Sequence, residues 1–135
     1  MLIEHPESVA IVAVEDGELV AVRQTRRGTA DPTLEIPSGK LEPGESPEVA
    51  AARELAEECG LAARSLGKLG TFWAVPAYST EFVHVFEAVD LFVADPAELD
   101  EDEDVEVERI PLEDALDLLS DAASIAALAL WQRAR

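Results

Sequence analysis

The residues with the clearest chemical potential form one pattern around position 50 of this 135-residue chain. Glutamates, an arginine and two glycines stand there at fixed offsets; they are Gly39, Glu45, Arg53, Glu54, Glu57, Glu58 and Gly60. Usage frequencies put a chance match to this pattern on the order of one in a hundred thousand. Carboxylates gathered around one arginine favour a site for a divalent metal and phosphate.

The spacing of the carboxylates explains this preference. Glu54 and Glu58 are four residues apart, so on a helix their side chains emerge from one face, with Cβ atoms about 5–6 Å apart. Magnesium prefers oxygen ligands and keeps several waters, so a few carboxylates and substrate phosphate oxygens complete its shell. Glu57 lies beside this face and can complete the shell or orient a water. Arg53 is interpreted as an orienting partner that holds a carboxylate such as Glu45 in a bidentate pair.

The alternative interpretation of the same residues is an ordinary, solvated acidic helix. Such a helix would not need the glycines, the arginine and the upstream Glu45 at these offsets. We therefore favour the metal and phosphate site.

The segments before this pattern predict strands. Residues 8–15 and 19–22 are rich in Val, Ile and Ala and flank Asp16-Gly17, which is typical of a β-hairpin. Residues 34–36 predict a further short strand.

The pattern itself is predicted to lie on a loop and a helix. Ser46 is a good N-cap, Pro47 suits the first helical position, and Gly60 ends the helix. Cys59 is the one cysteine of the chain and cannot form an internal disulfide, so it is interpreted as a small helix residue.

Strands and helices are mixed in the remainder. Residues 66–73, 82–92 and 105–110 predict strands, residues 111–119 predict an amphipathic helix, and residues 124–133 predict a last helix. Together these elements predict a mixed sheet flanked by helices, in one domain over residues 1–135. The last helix is predicted to bury Ile125, Leu128 and Trp131 on one face.

The bulk composition excludes several classes of function. The formal net charge of −19 opposes non-specific binding to nucleic acid or anionic lipid, which would be repelled. No signal peptide is recognisable, and no apolar stretch approaches the roughly 20 residues that cross a bilayer. We expect a soluble, cytoplasmic protein without nucleic acid or membrane partners.

The pattern resembles the Nudix box without a departure, which implies an α/β/α sandwich and a hydrolase that cleaves a nucleoside diphosphate linked to another moiety. In that family the positions that match Glu54 and Glu58 are metal ligands, and Glu57 assists. The backbone carbonyl of the residue before the box glycine, here Ser38, also reaches metal. The resemblance implies Mg²⁺, with Mn²⁺ as an alternative.

The flanks of the box resemble the branch that hydrolyses ADP-ribose and nucleoside diphosphate sugars. The runs Arg23-Gln-Thr-Arg26 and Glu35-Ile-Pro-Ser-Gly39 are similar to its Arg-Gln-x-Arg and Glu-Leu-Pro-Ala-Gly, and Pro76 matches a proline about 15 residues after the box. The resemblance implies substrate-binding roles for Arg26, Glu35 and Pro76. Phe72, Trp73 and Tyr78 are either core residues or stacking partners for adenine.

A general base is still required, because the metal can occupy the box glutamates. The branch carries a catalytic Glu in the loop equivalent to the acidic segment 98–105, so Glu103 is the first choice and Glu101 the second. A solvated acidic loop is the alternative for both residues.

The branch implies a homodimer that acts on a small nucleotide substrate. Its members commonly carry an additional N-terminal β segment that swaps between subunits, whereas this chain starts almost at the hairpin. We therefore expect either a wider range of nucleoside diphosphate derivatives or a dimer through another surface, such as residues 82–92. The alternative functions are a house-cleaning nucleoside triphosphate hydrolase and a nucleotide-sensing domain that does not cleave its ligand.

Overall fold

The computed structural model describes residues 1–98 and 105–135. The elements follow one another along these residues as strands β1 to β7 and helices α1 to α3. They are β1 (Ser8–Glu15), β2 (Glu18–Gln24), β3 (Thr33–Glu35), β4 (Ser38–Lys40), α1 (Pro47–Cys59), β5 (Leu61–Trp73), β6 (Phe82–Val93), β7 (Val105–Pro111), α2 (Ala115–Leu118) and α3 (Ala122–Arg133). Short 3₁₀ turns cover Pro96–Glu98 and Leu112–Asp114. The predicted hairpin, short strand, box helix and last helix are confirmed.

The strands form one mixed sheet. Strand β1 pairs parallel with β6 and antiparallel with β2 and β4, and β6 pairs antiparallel with β5. The hydrogen-bonded order is β3-β2-β1-β6-β5, with β4 added to β1 and β7 added to β2. The parallel contact between β1 and β6 is possible because helix α1 lies between them along the chain.

Residues 33–40 are inserted where the first hairpin opens. β1 and β2 pair only close to their turn, at Val14 with Leu19 and at Glu15 with Glu18. Farther from the turn, β3 pairs with β2 while β4 pairs with β1. The Pro37 carbonyl between β3 and β4 accepts a hydrogen bond from the Ile11 N–H at 2.9 Å. This arrangement brings the start of the box loop into the sheet.

Both faces of the sheet are covered, which explains why β1 is apolar at consecutive positions. Val9, Ile11 and Ala13 pack on the side of α1, whereas Ala10 and Val12 pack on the side of α3. These five side chains are at most 1% exposed. The structure is an α/β/α sandwich, as predicted.

Two predicted boundaries differ from the structure. β5 begins at Leu61, directly after Gly60, because the left-handed backbone of that glycine (φ 67°) ends α1 and the chain continues at once as a strand beside β6. The helix predicted over residues 111–119 is confirmed in part: Pro111 still belongs to β7, residues 112–114 form a 3₁₀ turn, and α2 then covers a single turn that ends at Leu118.

The predicted apolar face of α3 is partly wrong. Leu128 is fully buried, but Ile125 is 40% exposed, and the buried positions also include Ser124 and Ala127. The face is rotated because the Ser124 hydroxyl points inward and accepts a hydrogen bond from the Ile36 N–H at 3.0 Å. No helix in the described ranges is long and apolar enough to cross a bilayer.

Candidate active site

The box helix α1 is fixed at both ends by its own sequence. The Ser46 hydroxyl accepts a hydrogen bond from the Val49 N–H at 3.3 Å, and Pro47 occupies the first turn. At the other end, the N–H of Gly60 bonds back to the Ala56 carbonyl at 2.9 Å. Between these ends, Ala50, Ala51 and Leu55 pack on the sheet, which sets the rotation of the helix about its axis and with it the direction of each glutamate.

Arg53 lies at the centre of the box carboxylates. Its Nε and Nη2 donate to the two oxygens of Glu45 at 2.8 and 2.9 Å, in a bidentate pair. Its Nη1 donates to Glu54 at 2.8 Å and to Glu57 at 3.1 Å, and Nη2 also bonds the Lys40 carbonyl at 2.9 Å. One guanidinium therefore orients three carboxylates and the loop backbone, as the sequence predicted for Glu45.

These charges reinforce one another. The hydrogen bonds from Arg53 and from the Glu42 N–H lower the pKa of Glu45 to about 2. The pKa of Arg53 is raised, chiefly by its hydrogen bond to Glu45. Glu45 therefore stays ionised throughout the physiological pH range and serves as a fixed negative partner of Arg53.

Glu54 and Glu58 meet the backbone at the start of the box loop. They are only 7% and 8% exposed. The N–H of Ser38 donates to Glu58 Oε1 at 2.8 Å. A methyl group added at Gly39 would lie 2.0 Å from Cδ of Glu54, so this position accepts only glycine while Glu54 keeps its place.

The donor set at this place fits a hard divalent cation. Every candidate ligand is an oxygen, from Glu54, Glu58, Glu57 or the Ser38 carbonyl, and two of the carboxylates are buried against the same stretch of backbone. In the parts of the chain that the structure describes, no three His, Cys, Asp or Glu side chains form a ready-made metal cluster. Magnesium does not require one, because it is usually bound by one or two carboxylates together with water and substrate phosphates.

A second cluster of hydrogen-bonded side chains surrounds Glu35, which is 5% exposed. Arg26 donates to both of its oxygens, at 2.9 and 2.8 Å, and the Thr33 hydroxyl donates to it at 2.6 Å. Burial acts to raise the pKa of Glu35, but these hydrogen bonds outweigh burial, and the pKa is lowered. Arg26 and Glu35, both predicted to bind substrate, are therefore partners of each other.

Asp121 is a candidate functional residue that the sequence did not reveal. Its Oδ2 accepts a hydrogen bond from the Ser124 N–H at 3.3 Å and caps α3, while its Oδ1 is buried and accepts no hydrogen bond from any described residue. Burial raises the pKa of Asp121, and the negative charge of Glu35 adds to that effect. The sequence signal was the N-cap position alone, which does not distinguish a structural aspartate from a functional one.

Two serines hold this end of α3 against β3. The Ser120 hydroxyl accepts from the Leu34 N–H at 3.1 Å, and the Ser124 hydroxyl accepts from the Ile36 N–H. The Ser120 N–H in turn donates to the Leu34 carbonyl at 2.9 Å. Asp121, which lies between the two serines, is thereby fixed beside the strand that carries Glu35.

These groups line one open cleft of about 720 Å³. Four of the residues predicted from the sequence belong to its lining, namely Arg26, Glu35, Ser38 and Glu58. Arg53 and Glu57 line a separate hollow of about 540 Å³ on the other side of α1, next to the turn that ends at Glu98. The cleft and this hollow therefore lie on opposite sides of helix α1.

Pro76 does not join this group. It is exposed and begins a turn in which the N–H groups of Tyr78 and Ser79 bond the Val75 carbonyl at 3.2 and 2.9 Å. The cleft lining does not include it. Glu103 and Glu101, the predicted general bases, lie outside the described residues.

Of the two roles left open for the aromatic residues, core packing applies to Phe72 alone. Phe72 packs against the core, but Trp73 and Tyr78 are 58% and 49% exposed. Trp73 contacts Phe82 in a tilted arrangement, with ring centroids 4.7 Å apart and an angle of 56° between the ring planes. Neither Trp73 nor Tyr78 belongs to the cleft lining.

Comparison with known proteins agrees with this geometry. The family model of the NUDIX domain matches residues 4–131. The chain is 48% identical over 120 residues to the ADP-ribose pyrophosphatase of Bacillus subtilis (strain 168), covering 87% of this chain and 65% of that protein. It is 36% identical over 115 residues to the ADP compounds hydrolase NudE of Escherichia coli (strain K12), covering 85% of this chain and 61% of that protein.

The solved structures add a similarity in three dimensions. A crystal structure of an ADP compounds hydrolase superposes with a TM-score of 0.82 at 34% identity, covering 94% of this chain and 71% of the other. The chain spans somewhat less than two thirds of the length of the two curated relatives described above.

Proposed function

The chain belongs to the NUDIX family, and on that premise we propose that it hydrolyses the pyrophosphate bond of ADP-ribose or a related nucleoside diphosphate sugar in the presence of Mg²⁺. For ADP-ribose, one water is consumed, and AMP and ribose 5-phosphate are released. The observation that carries this proposal is the pair of buried carboxylates, Glu54 and Glu58, which meet the backbone of Ser38 and Gly39 beside the cleft.

The box residues would hold the metal and fix its position. Glu54 and Glu58 are the proposed ligands, with Glu57 and the Ser38 carbonyl completing the protein's share. When bound, Mg²⁺ neutralises charge on the phosphates and lowers the pKa of a bound water. Arg53 keeps Glu54 and Glu57 from turning away, since its guanidinium donates to both.

The cleft residues would bind the rest of the substrate. Arg26 and Lys40 are cationic side chains in its lining, in a chain whose formal net charge is −19. They therefore counter the repulsion that the acidic surface exerts on an anionic pyrophosphate. Glu35 holds Arg26 from behind through two hydrogen bonds, which limits the positions that the guanidinium can take.

Glu103 remains the proposed general base, with Glu101 as the second choice. Val105 is the first described residue after segment 99–104, and it lines the cleft. A catalytic glutamate there would leave the box carboxylates available for the metal.

The first test is product analysis on a panel of ADP-ribose, other nucleoside diphosphate sugars, diadenosine polyphosphates and nucleoside triphosphates, with and without Mg²⁺. Metal-dependent release of AMP from ADP-ribose is expected. Cleavage of triphosphates instead would support the house-cleaning activity, and binding without cleavage would support a sensing domain.

A pair of matched variants makes this test specific. Glu58→Gln removes a ligand charge at nearly constant volume and still allows a hydrogen bond from Ser38, so turnover is expected to vanish while the fold remains. Glu48→Gln makes the same change at an exposed position of the same helix and is expected to leave turnover unchanged. Equal activity of the two variants would contradict the metal assignment.

A homodimer and a cytoplasmic location remain proposals. Strand β6 was one predicted dimer surface, but both of its edges are already paired, with β1 and with β5. A dimer through β6 would have to use side chains at its far end, where Val89, Phe92 and Val93 are exposed. Sedimentation of the wild-type chain and of Phe92→Glu would show whether this surface is used.

A further inference from the structure

Strand β5 (Leu61–Trp73) forms an open edge of the sheet. It is the longest strand and stands last in the strand order, so β6 is the only described strand that pairs with it. The other side of β5 presents a row of backbone N–H and C=O groups. Such an edge is a template for a further strand.

The bonding between β5 and β6 shows which backbone groups face outward. The Ala94 N–H donates to the Gly60 carbonyl at 2.9 Å, which directs Gly60 towards β6. In an antiparallel pair, residues that bond the partner strand alternate with residues that do not. The register with β6 is constant from Leu61 to Lys68. The N–H and C=O groups that point away from β6 therefore belong to Leu61, Ala63, Ser65 and Gly67.

This edge lies in the longest acid-free stretch of the sequence. None of the 29 acidic residues falls within residues 59–80, which include Arg64 and Lys68. Strand β7, which pairs with β2 alone among the described strands, carries Glu106 and Glu108 instead. Two copies of a chain with a net charge of −19 repel each other, so contact between them is favoured where acidic residues are absent. The edge of β5 meets this condition and that of β7 does not.

The apolar side chains at this edge are incompletely buried. No residue of β5 is fully buried, although the strand contains three leucines and a phenylalanine. On β6, Phe92 and Val93 pair with Ala62 and Leu61 and are 52% and 80% exposed. A further strand beside β5 would remove part of this apolar surface from water.

We propose that two copies of this chain associate through β5, edge to edge and antiparallel, about a two-fold axis at Ser65. The inference concerns assembly and does not depend on the proposed reaction. Each copy supplies the same outward N–H and C=O groups, so one strand satisfies the other. A second copy fits better than an acidic partner, because Arg64 and Lys68 are too few to offset the repulsion from the rest of the chain.

The position of the axis follows from the strand itself. The bulge between Lys68 and Gly70 ends the regular ladder. With the axis at Ser65, the ladder runs from Leu61 up to this bulge. Each Arg64 then faces Leu66 of the second copy, so that no like charges stand opposite each other.

The expected dimer is weak. A ladder of about nine residues is roughly 30 Å long, and stable interfaces bury about 800 Å² per partner. The ladder alone does not reach that area, so the exposed side chains of Phe92 and Val93 have to contribute.

Sedimentation of the full chain is the first test. Wild type is expected to form a dimer at about 100 μM. Ser65→Pro removes an outward N–H, a change that edge strands accept, so it is expected to be monomeric with the circular dichroism and melting temperature of wild type. Ser65→Ala keeps the N–H and is expected to dimerise like wild type. A monomeric wild type, or a folded Ser65→Pro that still dimerises, would overturn the proposal.

Disulfide cross-linking tests the axis even if the proline variant fails to fold. Ser65→Cys and Thr71→Cys are compared in a Cys59→Ala background, and both positions are exposed. Residues that face each other in a hydrogen-bonded antiparallel pair have Cα atoms about 5.5 Å apart, which a disulfide can bridge. Ser65→Cys is expected to give a covalent dimer on mild oxidation, whereas Thr71→Cys lies beyond the bulge and far from the axis and is expected to stay monomeric. Equal cross-linking of the two variants would overturn the axis.

The salt dependence separates this interface from one held by ion pairs. Raising the NaCl concentration from roughly 50 to 500 mM screens the repulsion between the two acidic copies, so the dimer Kd is expected to fall several-fold. A Kd that rises with salt would show that ion pairs hold the copies together and would overturn the β5 interface.

Discussion

Gly39→Ala should displace one proposed metal ligand, Glu54, while the fold remains intact. An added methyl group would lie 2.0 Å from Cδ and 2.1 Å from Oε1 of Glu54. Ordinary contact begins at 3.4 Å, so the carboxylate has to retreat by about 1.4 Å. The atoms that collide are the end of a flexible side chain, so the backbone of β4 can stay in place.

The expected effects follow from that displacement. Metal sites tolerate deviations of about 0.2 Å in ligand distance, and a displacement of about 1 Å at a reacting centre can cost roughly a hundredfold in rate. We expect kcat with Mg²⁺ to fall about a hundredfold or more and Mn²⁺ binding to weaken. Overpacking should reduce the free energy of unfolding by about 1–2 kcal/mol, which lowers the melting temperature by roughly 4–8 °C.

The assay combines turnover of ADP-ribose, Mn²⁺ binding by electron paramagnetic resonance and thermal melting. Gly67→Ala is the matched control, because nothing lies within 4 Å of its added methyl group and its backbone is not left-handed. This control should keep wild-type turnover and metal affinity. Wild-type kcat and Mn²⁺ affinity in Gly39→Ala would refute the assignment of Glu54 as a ligand held against this glycine.

Three further predictions follow from single contacts. Glu58→Gln should abolish turnover while its circular dichroism spectrum and melting curve stay close to wild type; retained activity would remove Glu58 from the metal site. Because the pKa of Glu45 is lowered to about 2, its pairing with Arg53 should add to the free energy of unfolding above pH 4.5 and lose that contribution as pH falls towards 2. Acid melts of wild type and Glu45→Gln should therefore converge near pH 2, and a constant gap between them would contradict the pairing. Ser124→Ala leaves the buried Ile36 N–H without its acceptor and should cost about 1–3 kcal/mol in urea unfolding, whereas an unchanged midpoint would show that another group replaces the hydroxyl.

Local residue chemistry was sufficient to predict the box helix and the ion pair of Arg53 with Glu45. Ser46, Pro47 and Gly60 each act on the nearest backbone groups, so their effects can be read from the sequence. The pairing of Arg53 with Glu45 was predicted for the same reason, because a helix start and one short loop separate them. These interactions span few residues and depend little on the rest of the fold.

Segments that are ambiguous on their own were assigned less well. Residues 111–119 have the apolar spacing of a helix, yet β7 extends through Pro111 because this edge of the sheet is paired with β2. β5 begins five residues before its predicted start, since its early residues are held by long-range pairing with β6. Periodicity alone does not contain this information, because the partner strand lies tens of residues away.

The sequence by itself determined which chemical groups the box brings together: carboxylate oxygens of the kind that suit a hard cation, one orienting arginine and a glycine in the box loop. Only the tertiary structure decided which residues share a cleft. It paired Arg26 with Glu35, left Pro76 and Trp73 outside, and brought Asp121 from the far end of the chain beside β3. The reason is physical: the capping and pairing of the box depend on neighbours in the chain, whereas the cleft depends on how β3, β4 and α3 pack together.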